Sequence, residues 1–360
     1  MNTDIDPSVD MSMNTDTSTS NKDSDSGSGN GKGEVIGLKI WSELISWAES
    51  LAKDDPEAFN GLRSLTPMNE PAHLAAKYGE GGEYEPFLPP LDPDVASSYI
   101  SELAARRHNS DGVPDLAFPN FPMPDGPHLR VLLWLDRAVD AFRSSSLPSK
   151  GVQLFINVIE SIFSSSVLPV GDAGDTTLLN SGELIALWWS AITSPSERSS
   201  WAVLDVHHYH AWDPSCSGSP DGPVPSTSST FSSSYICGDA ASRDITLSRC
   251  TKWAEIFRNT VDRFCGGMSK LASTEFSAAT NHETRKQCQD ISTLRATFQE
   301  QIKKARAADV ELAFWSYRMP YGSAEMRPAW SFRHLLYLMG VLPFPDLPVH
   351  KCGGSVGTSR

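Results

Sequence analysis

The feature that most constrains the fold is an alternation between short, continuously apolar runs and longer stretches with helical periodicity. Trp41, Leu44, Ile45, Ala48 and Leu51 fall on one helical face. Residues 62–68 read as a strand that closes in Met68-Asn69-Glu70-Pro71. Leu132, Leu135, Val139 and Phe142 mark a helix, and 152–158 a strand. A helix over 184–192 and a strand over 201–207 come next. Trp253, Ile256, Phe257, Val261 and Phe264 form a stripe that Gly266-Gly267 stops. Strand 269–275, a charged helix over about 283–307, strand 310–316 and a helix over about 329–340 complete the pattern. Apolar runs without polar alternation suit strands buried on both faces. Strands that alternate with helices imply a parallel sheet with the helices outside it. The expectation is an α/β fold with five parallel strands.

The 360 residues suffice for one large core or two small ones. A net charge of -14 and the lack of a basic run argue against a nucleic-acid partner. No run of about 18 apolar residues is present, so no membrane span is expected. Residues 1–34 are rich in Asp, Ser, Thr, Asn and Gly and are predicted to be a disordered polar tail. They lack the charged start and apolar stretch of a signal peptide. Residues 347–360 read as a second polar tail, which leaves one domain over 35–346. The Pro/Gly-rich stretch at 79–128 is too long for an ordinary connection and reads as a functional loop over a site. Among the ten Trp, the adjacent Trp188 and Trp189 read as core residues of a helix.

The six cysteines contain no C-x-x-C pair. Cys216 and Cys237 flank a Ser/Pro/Gly loop, and Cys250 is read as opening the next helix. A disulfide stapling that loop and free buried thiols are both open readings. His207, His208 and His210 invite a metal reading. Neighbouring strand residues point to opposite faces, however, and no carboxylate or Cys spacing completes a site, so no metal and no cofactor are expected. Gly353-Gly354-Ser355-Val356-Gly357 matches G-x-S-x-G but sits in the polar tail, outside the strand–turn–helix context of a nucleophile elbow.

Four strands end in residues suited to chemistry: Asn69-Glu70, His207-His208-Tyr209, Glu275 and Trp315-Ser316-Tyr317. Parallel α/β folds place their sites at these strand ends. Two Glu from two strand ends are the equipment of a retaining glycosidase, one carboxyl as acid and one as nucleophile. Different environments must keep one protonated while the other is ionised.

These motifs carry a resemblance. Asn69-Glu70-Pro71, Asp205-x-His207-x-Tyr209, Glu275-Phe276-Ser277 and Trp315-Ser316-Tyr317 resemble glycoside hydrolase family 5, a family of (β/α)8-barrel retaining glycosidases. The stretches 201–212 and 273–281 are most similar to its exo-β-1,3-glucanase branch. The likeness covers roughly residues 36–345, specific at the motifs and loose between them. It implies a TIM-barrel-type α/β fold, partial, with about five of eight strands present. It implies Glu70 as acid/base and Glu275 as nucleophile, about 5 Å apart. Asn69 would bond the sugar 2-hydroxyl, His207 and Tyr209 would flank the nucleophile, and Trp315 would floor the first sugar subsite. The implied substrate is a β-glucan, hydrolysed by double displacement, in a secreted or cell-wall-associated setting. The family's first three strands, with an Arg and a His near the nucleophile, have no counterpart in residues 1–60. The chain then reads as a fragment whose N-terminal half-barrel comes from the same gene, as half of a split barrel, or as a pseudoenzyme. The alternative function is a non-catalytic glycan-binding remnant.

Overall fold

The computed structural model describes residues 31–69, 92–98, 100–101, 127–160, 179–211, 213, 216, 240–280, 288, 290–317 and 327–342. Its strands are β1 (Ser64–Leu65), β2 (Gln153–Glu160), β3 (Ala202–His207), β4 (Lys270–Phe276) and β5 (Val310–Phe314). They form one parallel sheet in sequential order, β1-β2-β3-β4-β5. The helices are α1 (Gly31–Asp54), α2 (Pro56–Phe59), α3 (Pro127–Arg143), α4 (Ser181–Ile192), α5 (Pro195–Ser200), α6 (Ala240–Cys250), α7 (Trp253–Cys265), α8 (Ile291–Ala307), α9 (Arg327–Trp330) and α10 (Phe332–Leu338). The α/β class and the parallel sheet expected from the sequence are both present.

Local chemistry explains where these helices start and stop. At α4 the Asn180 side chain accepts from the Glu183 amide at 3.0 Å, and the Glu183 carboxylate accepts from the Asn180 amide at 2.9 Å. This reciprocal capping satisfies amides that have no partner inside the helix. Ser194 and Glu197 do the same for α5, with Pro195 fixing the first helical φ. Asp290 caps α8 by accepting from the Thr293 amide at 2.8 Å. Helix α7 ends at Gly266, whose φ of 70° suits a residue without Cβ.

Strand alternation divides the sheet into two faces. Leu154, Ile156, Ala202, Leu204, Val206 and Leu271 belong to the main core, with Trp188 and Trp189 of α4 and Trp253 and Phe257 of α7. Burying each such aromatic contributes on the order of 2 to 3 kcal/mol. The Trp41 indole of α1 donates to the Ala138 carbonyl of α3 at 2.9 Å, which fixes those helices against each other. On the opposite face Phe155, Val203 and Ala272 make a small apolar layer. The buried polar residues Asn157, Asp205 and His207 follow them along β2 and β3.

The register breaks just before Glu275. From Asp205 to His207 β3 advances two residues, while the paired segment of β4 advances three, from Ala272 to Glu275. β2 also advances three residues, from Asn157 to Glu160, over the same stretch of β3. β5 records the β4 irregularity too, with Ser273 opposite Leu312 and Phe276 opposite Phe314. One extra residue reverses the in–out parity of everything after it. Glu275 therefore shares the face of Asp205 and His207, and Phe276 turns toward Phe298 of α8 and Phe314 of β5.

Several expectations need correction. β1 is two residues long rather than seven, because only Ser64 and Leu65 reach pairing partners on β2. Strand β5 stops at Phe314, so Trp315 and Ser316 follow the strand instead of ending it, joined by a cis peptide bond. The last helix is two pieces, with Ser331 capping the second by accepting from the His334 amide. Helix α8 starts at Ile291, where Asp290 supplies the cap, rather than near 283. Cys250 closes α6 instead of opening a helix, and of the two open readings for Cys216 the structure has the buried thiol, outside any disulfide. Helix α1 begins at Gly31, so residues 31–34 of the predicted tail are helical. Residues 1–30, the tail from 347 and its G-x-S-x-G match, Cys237 and most of 79–128 lie outside the described residues, although 93–98 are helical. Among the described residues, no helix is long and apolar enough to cross a membrane.

Candidate active site

The carboxyl ends of β3 and β4 bring three of the sequence-predicted residues together. The Tyr209 hydroxyl donates to Glu275 Oε2 at 2.5 Å. His207 Nδ1 lies 3.4 Å from the same oxygen. The Glu275 side chain keeps 17% of its surface accessible against 2% for His207, so the carboxylate is reachable while its support is buried. The Glu275 carbonyl also accepts from the His208 amide at 3.2 Å, which ties the two strand ends together beyond the bulge.

Behind His207 stands Asp205, which is fully buried. Its Oδ2 lies 3.7 Å from His207 Nε2, and its Oδ1 accepts from the Thr274 amide at 2.8 Å. The Thr274 hydroxyl, also bonded to Asp205, sits 3.3 Å from His207 Nε2. Burial pushes the Asp205 carboxyl up from 3.8 to about 6, and the His207 charge and the Thr274 bonds only partly offset it. The result is a file Asp205, His207, Glu275, Tyr209 that runs from the sheet interior to the accessible surface. It holds one carboxylate in one orientation.

Trp315 follows β5, and its amide donates to the Phe276 carbonyl at 2.9 Å, one residue beyond Glu275. Its ring stands edge-on to Trp330, with centroids 6.0 Å apart, and Trp330 also packs on Tyr209 at 5.4 Å. An aromatic wall thus continues from the tyrosine that holds Glu275 to the half-buried Trp315. Asn69 is exposed, four residues past β1 on the carboxyl side of the sheet. Glu70 lies outside the described residues, and so does its expected separation from Glu275.

The sequence reading gave no role to Asp205, Thr274 or Trp330. Asp205 was within reach, since residues two apart on a strand share a face. Trp330 was not, because only tertiary packing sets a short helix beside Tyr209. An apolar groove of about 340 Å³ beside β5, lined in part by Phe276, Phe314 and Phe332, opens on the Phe276 side of β4 rather than the Glu275 side. It has no part in this constellation.

The expectation about metals rested on the opposite faces of His207 and His208 and on the lack of a carboxylate or cysteine spacing that completes a site. The structure brings two cysteines to His210. His207 turns to Glu275, whereas His208 stacks on Trp253 and lies 3.4 Å from Asp213 Oδ2. His210 then meets Cys216 and Cys250 in a buried cluster. Burial pushes the Cys250 thiol up, but the Cys216 bond and the adjacent His210 outweigh it and hold the thiol down at about 6.

No protein family, no curated protein and no solved structure matches this chain.

Proposed function

We propose that the chain carries the nucleophile side of a retaining glycoside hydrolase of the β-1,3-glucanase type, built on part of a (β/α)8 barrel. What carries the reading is the file Asp205–His207–Glu275–Tyr209, which aims one partly accessible carboxylate from the carboxyl end of a parallel strand. Sequential parallel strands with chemistry at their carboxyl ends suit a barrel segment. The sequence motifs supply the partner carboxyl, Glu70, and the aromatic floor, Trp315.

In this reading Glu275 attacks the anomeric carbon, and Glu70 gives its proton to the departing glycosidic oxygen. A glycosyl ester on Glu275 results. Water, deprotonated by Glu70, then opens the ester with net retention. Tyr209 fixes the attacking oxygen. His207, held from behind by Asp205, keeps the carboxylate from turning away. Trp315 stacks on the apolar face of the glucose ring. β-Linked glucans are the substrate class.

The test uses a dinitrophenyl β-glucoside, whose leaving group needs no proton. Glu275→Ala should fall to the background rate on every substrate. Glu70→Ala should still form the glycosyl ester, and azide should rescue it to the β-glucosyl azide. On β-1,3-oligosaccharides Glu70→Ala should lose roughly 100- to 10,000-fold. Azide rescue of Glu275→Ala to the β-glucosyl azide, rather than to the α-azide of direct displacement, would exchange the two roles. A folded wild-type chain that binds laminari-oligosaccharides without turning over the activated substrate would mark a non-catalytic glycan-binding remnant.

A further inference from the structure

Beyond β3, three side chains converge that the glycosidase reading does not use. They are His210 in the turn after β3, Cys216 in the loop beyond it, and Cys250, the last residue of α6. One ligand atom from each lies within 4.8 Å of the other two, and all three residues are at most 3% exposed. We propose that His210, Cys216 and Cys250 form a structural zinc site that fastens the β3 loop to the end of α6.

Four observations support it. The first is the donor set. One imidazole and two thiols are the ligands a borderline-soft divalent cation takes, and they exclude calcium and magnesium, which require oxygen. The second is distance. Zinc–sulfur bonds of about 2.3 Å and zinc–nitrogen bonds of about 2.0 Å put tetrahedral ligand atoms about 3.5 to 3.8 Å apart. The three ligand atoms, within 4.8 Å of one another, stand at most about 1 Å outside that range.

The third is hydrogen bonding. Neither ring nitrogen of His210 has a hydrogen-bond partner, although the residue is buried. Cys250 is near enough to interact with the ring electrostatically but does not make a well-formed hydrogen bond to it. A buried imidazole without partners has left water without replacing its hydrogen bonds, and a metal bond to one nitrogen removes that loss. The fourth is charge. Two thiolates balance a divalent cation, so the occupied site is neutral and suits a dry interior. Asp213 is fully buried between His210 and Cys216 in the chain. Its charge acts on both His210 and Cys250, and His208 stands 3.4 Å from its Oδ2.

Tyr209 and His210 are adjacent in the chain, so the site would anchor the backbone that carries the tyrosine bonded to Glu275. Metal binding at this cluster requires no glycosidase activity. The rival occupant of the same space is a Cys216–Cys250 disulfide.

The test uses the full chain, produced in zinc-supplemented medium and purified under a phosphine reductant without chelator. Elemental analysis should find about one zinc per chain. Exchange with cobalt(II) should give the near-ultraviolet thiolate-to-metal band and the strong visible bands of a tetrahedral site. Cys216→Ser and Cys250→Ser should each weaken zinc binding at least tenfold in competition with a chromogenic chelator. Cys265→Ser, a buried thiol elsewhere, should leave it unchanged. If the serine variants do not fold, the wild type still answers. Iodoacetamide should spare Cys216 and Cys250 until a strong chelator is added. Folded, reduced wild-type chain with well under one equivalent of zinc and no cobalt–thiolate band would overturn the proposal. So would a Cys216–Cys250 disulfide mapped in the zinc-replete protein.

Discussion

At the scale of single residues, Asp205 has the most exposed consequences. It is buried beside His207, and its carboxyl binds a proton up to about pH 6 in the folded chain against 3.8 as the ordinary value. The folded form therefore holds this proton more tightly than the unfolded form. The stability it supplies is complete below about pH 3.8 and is lost as pH rises through about 6. A shift of this size corresponds to about 3 kcal/mol. Urea midpoints of the wild type and Asp205→Asn should diverge across this window. Between pH 4 and pH 7 the wild type should lose about 2 to 3 kcal/mol relative to the variant, which has nothing there to titrate. Parallel pH profiles for the two proteins would remove Asp205 as the source. The cost of an ionised Asp205 at neutral pH is a reason to assign it a task, since nothing in packing alone needs a carboxylate at that point.

At the scale of elements, Arg198 shows how the helices behind the sheet are joined. It is 4% exposed and lies in the last turn of α5. Its guanidinium donates to the Thr193 carbonyl at the end of α4, and to the Cys265 carbonyl at the end of α7 at 2.9 Å. Two helix C-termini, each with unpaired carbonyls and partial negative charge, thus share one cation. Arg198→Met keeps the bulk but orphans both carbonyls, and should cost about 2 to 4 kcal/mol in urea unfolding with an unchanged m-value. Arg198→Lys, with a point charge in place of a fork, should fall between the two. An Arg198→Met midpoint equal to wild type would show that the two carbonyls find other partners.

The same scale shows what was legible in the sequence. β2, β3 and β4 begin one residue after their predicted starts, and β5 begins where expected, because unbroken apolar runs admit little else. Trp188 and Trp189 are wholly buried, as their helical spacing implied. The cap of α5 is legible in Ser194-Pro195-x-Glu197. The side on which Glu275 emerges was not readable. Simple alternation from Ala272 puts Glu275 among the helices, and only the bulge, which depends on pairing with two neighbours, reverses it. The cysteine cluster was hidden for a similar reason. Its members are spread from 210 to 250 in the chain, and no local spacing announces them.

For the molecule as a whole, the sheet ends matter most. β1 and β5 are its outermost strands among the described residues. β5 has exposed positions at Glu311 and Ala313, and the apolar groove lies beside it. An outer strand of this kind offers unpaired amides and carbonyls to any extended chain. The isolated chain should self-associate as its concentration rises, read by sedimentation velocity. Ala313→Lys, a charge on that edge, should shift the distribution toward monomer without lowering the melting temperature. A wild-type chain that stays monomeric at all concentrations would mean that residues beyond those described cover the edge.

The extra residue in β4 also bears on how this protein can vary. What lies between Ala272 and Glu275 is a count as much as a set of side chains. A chain that lacked either Ser273 or Thr274 would match two residues of β4 to two of β3, so the bulge would close and the carboxylate would still face His207. A chain with all of these residues but a regular ladder would turn the carboxylate toward the helices instead. Comparisons that align this strand without allowing a one-residue gap would pair opposite surfaces in the same column.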